Sequence, residues 1–208
     1  MNDWRIVLAS QSPRRAEIMQ RLGLDFIVRP SLFDESIVSA PTPQEFSALA
    51  ARGKALDVAN ALAAENQRRR LVIAADTVVH IDGRLLLKPR DPAEAREMLQ
   101  RLQGRVHRVT TGLALAPSPD ECVSAHETAE VRFHPMTPNQ IRDYVETGEP
   151  LDKAGAYGIQ GIGASYIAAV NGDFFNVMGL PIHLLKKLLQ QTINLHLPAL
   201  PQPPDPFR

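Results

Sequence analysis

Five consecutive apolar residues, Leu-Val-Ile-Ala-Ala at positions 71–75, constrain the fold most strongly, and they end at the carboxylate of Asp76. A strand without polar alternation is buried on both faces, as in sheets that carry helices on both sides. We therefore expect an α/β fold. An Asp at the end of such a strand lies where open α/β sheets bind ligands, and its burial is costly without a metal, a cation or a substrate proton. The alternative is a capping Asp at a strand–turn junction.

The rest of the chain alternates strands and helices in the same way. Apolar runs, turn residues and helix-start signals predict strands over 5–9, 26–28, 71–75, 106–116, 121–133 and 166–170, a hairpin over 78–86, and helices over 12–22, 43–65, 91–102, 137–147 and 179–190. This order predicts a mixed sheet flanked by helices, and the length of 208 residues indicates one domain, or one domain with two lobes around a cleft. Residues 1–194 are expected to form that domain, and the proline-rich residues 195–208 a disordered tail.

Composition excludes several classes of protein. Lys plus Arg and Asp plus Glu are 23 each, so the formal charge is zero, whereas proteins that bind nucleic acid backbones usually have a basic excess. A single cysteine, Cys122, excludes an intramolecular disulfide and a cysteine zinc site. No signal-peptide pattern opens the chain, and no run approaches the ~18 apolar residues of a membrane span. We expect a cytoplasmic protein with no nucleic acid and no membrane partner.

The first candidate binding site is Ser10-x-Ser12-Pro13-Arg14-Arg15, between the first strand and the first helix. The free N–H groups and the dipole of a helix N-terminus attract anions. Two arginines in the first turn are unfavourable for the helix itself, and a bound phosphate would reverse that effect. The alternative is a well-capped surface helix with solvated arginines.

A second candidate is the glycine-rich segment 148–161, because closely spaced glycines let the backbone approach a ligand. Gln160 in this segment offers a donor and an acceptor, which suits the edge of a nucleobase. A surface loop with a turn at each glycine is the alternative. Four further charged residues, taken singly, are typical of a solvated surface: Glu35, Lys54, Lys88 and Lys153. The carboxylate of Glu35 could also provide a metal ligand.

Eight motifs follow one another between residues 8 and 181, within a resemblance that extends from residue 6 to about residue 190. They are Leu-Ala-Ser-x-Ser-Pro-Arg-Arg from position 8, Asp-Glu from 34, Ala-x-x-Lys-Ala from 51, Ala-Asp-Thr-Val-Val from 75, Lys-Pro from 88, Met-Leu-x-x-Leu-x-Gly-x-x-His-x-Val-x-Thr-Gly from 98, Glu-Pro-x-Asp-Lys-Ala-Gly-Ala-Tyr-Gly-Ile-Gln-Gly from 149 and Gly-Asp-x-x-Asn-Val-x-Gly-Leu-Pro from 172. In this order they resemble the motifs of the Maf family of nucleoside triphosphate pyrophosphatases. The resemblance covers the whole chain except its proline-rich end.

The resemblance implies a fold like that of Maf proteins and inosine triphosphate pyrophosphatases, a homodimer, and hydrolysis of a nucleoside triphosphate to the monophosphate and pyrophosphate. It makes Asp76 the proton acceptor that activates water, and it implies a divalent metal, Mg²⁺ or Mn²⁺, which Glu35 and Asp76 could hold through oxygen ligands. Whether Asp76 acts as base, metal ligand or both stays open, because a metal-bound carboxylate is a weaker base. The implied specificity positions are Arg14, Thr77 and Gln160, and the groups suited to bind phosphate are Ser10, Ser12, Arg15, Lys54, Lys88 and Lys153.

Positions 156–161, Ala-Tyr-Gly-Ile-Gln-Gly, resemble the family branch that acts on dTTP and UTP, and we expect modified pyrimidine triphosphates to be substrates as well. A single amide such as Gln160 can accept from N3–H and donate to O4 of uracil or thymine. One alternative is the sister branch, which acts on 7-methyl-GTP. Another is a nucleotide-binding regulator of cell division, since the family name is associated with septum inhibition. Asp76 favours the enzyme, because a protein that only binds needs no carboxylate to activate water.

Overall fold

The computed structural model describes residues 4–65 and 69–197. Its strands are Arg5–Leu8 (β1), Phe26–Val28 (β2), Arg70–Ile81 (β3), Arg84–Leu86 (β4), Val106–Ala116 (β5), Val123–Phe133 (β6) and Ile167–Asn171 (β7). Its α-helices are Pro13–Arg21 (α1), Pro43–Ala64 (α2), Pro92–Leu102 (α3), Pro138–Glu146 (α4), Phe174–Met178 (α5) and Ile182–Ile193 (α6). Short 3₁₀ turns lie at Glu35–Ile37, Glu149–Asp152, Ala154–Ala156 and Ile162–Tyr166.

The strands form one mixed sheet in the order β2-β1-β3-β5-β6-β7, with β4 added beside β3. β1 runs parallel to β2 and β3, and all the other pairs are antiparallel. The predicted α/β class, with a mixed sheet flanked by helices, is confirmed. The positions of the predicted elements also agree with the structure to within a few residues. The short helix α5 was not predicted, because five residues are too few to show a helical period.

One prediction about β3 is wrong: the strand does not end at Asp76 but continues to Ile81. β5 pairs with β3 without interruption from Val72 to His80, so the ladder of hydrogen bonds passes through Asp76, which lies opposite Gly112. The apolar run 71–75 and the first arm of the predicted hairpin are therefore one strand of twelve residues. The sequence shows the change of side-chain type at Asp76, but the continuity of the strand depends on pairing with a distant segment.

The opposite edge of β3 is where the sheet opens. β1 pairs with β3 only as far as Ile73, and β4 begins to pair with it at Val79. Between these two residues, β3 has no strand neighbour on that side within the described residues. Asp76 lies at the middle of this gap, beside the carboxyl end of β1, which is where α/β sheets form ligand crevices.

Helix α2 packs unusually close to one face of this sheet because both surfaces consist of small residues. Alanines and valines of α2 meet the alternating Val72, Ala74, Ala114 and Ala116 of β3 and β5 in a buried cluster. A Cβ atom built on Gly112 would lie 2.1 Å from the backbone oxygen of Ser47 in α2, so only glycine fits there. This close approach brings the polar side of α2 to the level of Asp76.

Two further apolar clusters divide the sheet into halves that share β3 and β5. One cluster joins β1, the first half of β3, α1 and α6, and the other joins α3 and α4 to β4, β6 and the remaining half of β3. Leu195 and Leu197 pack against the first of these clusters. The rest of the predicted tail, 198–208, lies outside the described residues, so its disorder stays a prediction. No helix in the described ranges has the length and apolar character of a membrane span.

The close contact between α2 and Gly112 leads to a stability prediction. Gly112→Ala should lower the free energy of unfolding by about 3 kcal/mol, because its methyl group overlaps backbone that cannot move aside. The control is Gly83→Ala: this turn residue has φ +73° but no atom within 4 Å of the added Cβ. It should lose only about 1 kcal/mol from backbone strain. Urea unfolding of both variants tests this, and equal losses would contradict the close packing of α2.

Candidate active site

A cleft of about 840 Å³ opens at the gap beside Asp76. It is lined by the end of β1, the start of α1, the loop before Glu35, the middle of β3 and the segment after Lys153. Ten of the eleven residues that the sequence singled out line this one cleft: Ser10, Ser12, Arg14, Arg15, Glu35, Lys54, Asp76, Thr77, Lys88 and Lys153. Residues more than 140 positions apart in the chain therefore meet where the sheet edge is open.

Asp76 and Glu35 share a single cation. Lys54 Nζ lies 2.7 Å from Asp76 Oδ1 and 2.6 Å from Glu35 Oε1. The side chain of Asp76 is 7% exposed, whereas that of Glu35 is 48% exposed. The second oxygen of the buried carboxylate, Asp76 Oδ2, has no hydrogen-bond partner among residues 4–65 and 69–197. A buried carboxylate oxygen without a partner is an acceptor that a water molecule, a metal ion or a substrate in the cleft could satisfy.

The two carboxylates differ in basicity because they differ in burial. Burial raises the pKa of Asp76 above its ordinary value, and the charge of Glu35 adds to this effect, although Lys54 opposes it. Burial works in the same direction on Glu35, but the hydrogen bond and charge of Lys54 outweigh it and lower the pKa of Glu35. Two neighbouring groups with pKa values moved in opposite directions are typical of acid–base sites. Asp76 is the stronger base of the pair.

Arg15 is half-buried, and no carboxylate among the described residues is bonded to it. Its guanidinium donates to three neutral oxygens, at 2.8 Å to Gly179 O, 3.0 Å to Ser10 Oγ and 3.1 Å to Thr77 Oγ1. Burial lowers the pKa of Arg15, although the charge of Asp76 opposes the change. Arginine stays protonated even so, and a partly buried cation that is bonded only to neutral oxygens favours a bound anion.

The start of α1 provides further positive potential. Ser12 occupies the predicted N-cap position, but its side chain makes no capping hydrogen bond; instead its backbone N–H donates to Ser10 Oγ at 3.2 Å. The side chains of Arg14 and Lys88 line the cleft and make no hydrogen bond or ion pair with another described residue. Lys153 donates to Asp152 at 2.5 Å and to the backbone oxygen of Glu149 at 2.7 Å. Within the described part of the chain, five cations and three carboxylates line the cleft, which leaves a formal charge of +2.

The glycine-rich segment is folded around Glu149. The carboxylate of Glu149 accepts from the backbone N–H groups of Ile162 and Gly163 at 2.9 and 3.0 Å and from the hydroxyl of Tyr144 at 2.8 Å. The Tyr144 hydroxyl in turn accepts from Gly158 N at 3.2 Å. Between these two anchor points lie three residues, with Gln160 at their centre.

Gln160 is the predicted site residue that the structure does not bring into the cleft. It is exposed, whereas its neighbours Gly158 and Ile159 line the cleft wall. Conversely, three residues that hold site residues in place were not singled out: the buried Thr111 and Asn176 and the half-buried Glu149. All three stand inside the motifs of the resemblance, and a buried polar residue in such a motif is the signal that could have found them.

A scan of the chain against family models finds a match over residues 5–192 to the family described as Maf-like protein. The chain belongs to the Maf family. A relative from Moorella thermoacetica, named dTTP/UTP pyrophosphatase, is 50% identical over 188 residues, which covers 89% of this chain and 93% of that one. A protein of the same name from Symbiobacterium thermophilum is 47% identical and covers 90% and 93% of the two chains.

Among solved structures, the Ham1 protein of Staphylococcus aureus aligns with this Maf protein at a TM-score of 0.46 and 19% identity, over 78% of this chain and 79% of that one. A likeness of this extent is too small to support an argument about the site. The fold class follows from the sheet itself, and the family follows from the sequence match.

The acidic side chains of the cleft supply only some of the ligands that a divalent metal ion needs. No group of three or more His, Cys, Asp or Glu side chains in metal-binding geometry occurs among the described residues. Glu35 and Asp76 nevertheless converge on Lys54, and Asp76 Oδ2 is buried and unpaired. Mg²⁺ is commonly held by one or two carboxylates together with water and substrate phosphates. The two carboxylates of this Maf protein therefore fit a metal that arrives with a phosphate ligand.

The raised pKa of Asp76 predicts how the free protein responds to pH. Above the ordinary aspartate pKa of about 3.9 the unfolded chain is ionised, whereas burial opposes ionisation in the folded state, so stability falls as pH rises through the folded pKa. Asp76→Asn removes this effect. It should therefore unfold at a higher temperature than the wild type at pH 8 without metal, and the difference should disappear toward pH 4.

Asp25→Asn, which changes an exposed carboxylate, is the control for this comparison. Thermal unfolding followed by circular dichroism measures all three proteins. If Asp76→Asn were less stable than the wild type at pH 8, the ion pair with Lys54 would outweigh the burial of Asp76 and our assignment of the pKa direction would be wrong.

Proposed function

We propose that this Maf protein hydrolyses dTTP and UTP to their monophosphates and pyrophosphate. The observation that carries the proposal is the buried carboxylate of Asp76, with one oxygen held by Lys54 and the other unpaired, on the wall of a cationic cleft. The two relatives at 47% and 50% identity, named dTTP/UTP pyrophosphatase, support the substrate class. Modified pyrimidine triphosphates with the same base edge are expected to be accepted as well.

The reaction is attack of water on the α-phosphorus, with pyrophosphate as the leaving group. Asp76 Oδ2 accepts the proton of the attacking water, and its raised pKa makes it a better acceptor at neutral pH than an exposed carboxylate. Lys54 fixes the other oxygen and so orients the carboxylate. Arg15 and the N-terminus of α1 bind phosphate oxygens on one side of the cleft. Lys88, whose side chain has no partner among the described residues, binds phosphate oxygens elsewhere along the cleft.

We also propose that Mg²⁺ or Mn²⁺ takes part, with Glu35 and Asp76 as its protein ligands. A divalent cation neutralises phosphate charge and lowers the pKa of a bound water. The formal charge of +2 on the cleft walls is smaller than the charge of an ionised triphosphate, so a divalent cation would make up the difference. Glu35 is the more available ligand, because it is half-exposed and its lowered pKa keeps it ionised.

Choice of base is proposed to involve Arg14, Thr77 and Gln160. Arg14 and Thr77 already line the cleft, whereas Gln160 stands at the exposed centre of the segment between the two anchors made by Glu149 and Tyr144. The amide of Gln160 reaches a base only if the bound nucleotide extends out of the cleft to this exposed segment. A homodimer and a cytoplasmic location, the latter in keeping with the single Cys122, complete the proposal.

Replacement of the proposed base gives the first test. Asp76→Asn should lower kcat on dTTP by at least ~100-fold, because an amide cannot accept the proton, while nucleotide binding stays within a few-fold. Release of pyrophosphate measures the rate, and calorimetry with a non-hydrolysable dTTP analogue measures binding. Asp25→Asn, with the same change of charge on the surface, should keep the wild-type rate. Normal turnover by Asp76→Asn would remove Asp76 from the mechanism.

A panel of nucleotides tests the substrate class. UTP and dTTP should react faster than CTP by roughly 5- to 150-fold, because cytosine reverses the donor and acceptor at N3 and at position 4. If 7-methyl-GTP reacted faster than both, the sister branch would be the correct assignment. Binding of nucleotides without release of pyrophosphate from any of them would instead favour the regulator.

A further inference from the structure

A chain of hydrogen bonds leads from Arg15 and Thr77, which line the cleft, to Thr111 and Asn176 in the core behind it. Arg15 Nη2 lies 3.1 Å from Thr77 Oγ1, and Thr77 Oγ1 lies 3.0 Å from Thr111 Oγ1. Thr111 Oγ1 lies 2.8 Å from the backbone oxygen of Asn176. Thr111 and Asn176 are completely buried, so no water competes for the bond between them.

The direction of every hydrogen bond in this chain follows from the innermost bond, between Thr111 and the backbone oxygen of Asn176. A carbonyl oxygen can only accept, so Thr111 donates its one hydroxyl proton to Asn176. Thr111 Oγ1 must then accept from Thr77, which uses the only hydroxyl proton of Thr77. The guanidinium of Arg15 can only donate. Thr77 Oγ1 is therefore an acceptor on the side that faces Arg15 and the cleft.

Asn176 is itself held firmly against β5. Its side-chain oxygen accepts from Thr111 N at 3.2 Å, and its side-chain amide donates to Val109 O at 2.9 Å. The same segment of chain continues into Gly179, whose backbone oxygen accepts from Arg15 Nε at 2.8 Å. Arg15 is thus held by this segment twice, directly through Gly179 and indirectly through Asn176, Thr111 and Thr77.

We propose that Thr111 and Asn176 are positioning residues, which hold the Thr77 hydroxyl as a fixed acceptor and so orient the Arg15 guanidinium to bind the phosphates of the nucleotide. The need for such positioning follows from the contacts of Arg15. Three of its five N–H groups bond neutral oxygens, and the rest remain for an anion. If Thr77 were free to rotate, its proton could face the guanidinium and displace it. This inference rests on the proposed function for the identity of the anion.

Thr111→Val tests the proposal with almost no change in side-chain shape. Without the Thr111 hydroxyl, Thr77 loses its acceptor and Arg15 loses a fixed partner. The KM for dTTP and the Kd for inorganic pyrophosphate should each rise about 10-fold, the effect of losing one hydrogen bond to a charged group. kcat should change less than about 3-fold, because Asp76 and Lys54 are untouched. Thr111→Ser, which keeps the hydroxyl, should restore both constants.

The chain offers a matched control on the same strand. Thr110 is also completely buried, but its hydroxyl is bonded to His80 and Thr128 at 3.0 and 2.9 Å, away from Arg15. Thr110→Val removes a buried hydroxyl from β5 in the same way, and it should leave KM and the pyrophosphate Kd unchanged.

A second control is the double variant that combines Thr111→Val with Thr77→Val. In that background Thr111→Val should have no further effect on either constant, because the two act through one path.

The outcomes separate this inference from the proposed function. A Thr111→Val protein that binds pyrophosphate as tightly as Thr110→Val, or an undiminished effect in the Thr77→Val background, would overturn the positioning role. So would a wild-type protein that does not bind pyrophosphate, measured by calorimetry. If pyrophosphate binding followed the expected pattern but no pyrimidine triphosphate were hydrolysed, the positioning of Arg15 would stand and the proposed function would fail.

Discussion

The carboxylate of Asp76 lies in the interior of β3, and the ammonium of Lys54, 2.7 Å away, is the interaction that makes this burial tolerable. A buried unpaired carboxylate would be protonated or would destabilise the fold, and a fully satisfied one would be chemically inert. Asp76 is between these limits. One oxygen is paired with Lys54, the other is unpaired, and the pKa is raised because burial outweighs the attraction of the cation.

The architecture of the sheet places this carboxylate at the cleft. β3 changes its neighbour from β1 to β4 on one edge, and Asp76 stands in the interval between the two. On the adjacent face, the small residues of α2 and β5 let the helix approach until the oxygen of Ser47 lies against Gly112. Because Lys54 stands two turns later on the same helix, its position depends on that contact. Stability of the fold and geometry of the site therefore rest on the same packing.

Local chemistry in the sequence was enough to find most of these groups. The apolar run before Asp76, the two serines and two arginines at the start of α1, and the lysines of the motifs all line the cleft, and each could be named before the fold was known. What the sequence could not show was the long-range pairing. β3 continues past Asp76 because β5 pairs with it, and Gln160 stands outside the cleft because Glu149 and Tyr144 anchor its segment.

The same limit applies to Thr111 and Asn176. Their importance is invisible in isolation, since a threonine in a strand and an asparagine near a turn are ordinary residues. Only the fold shows that their hydrogen bonds lead to Arg15. The buried polar groups that support a site are thus harder to predict than the groups that line it, because their hydrogen-bond partners lie far away in the chain.

The pH dependence of kcat/KM on dTTP tests the role of Asp76 most directly, because its acidic limb reports the pKa of the base in the free enzyme. In the wild type this limb should lie above the ordinary aspartate pKa of about 3.9. In Lys54→Met, which has lost the cation that opposes the effect of burial, the residual activity should show the limb at still higher pH. A limb that stayed in place or moved to lower pH in Lys54→Met would contradict the assignment of Asp76 as the base.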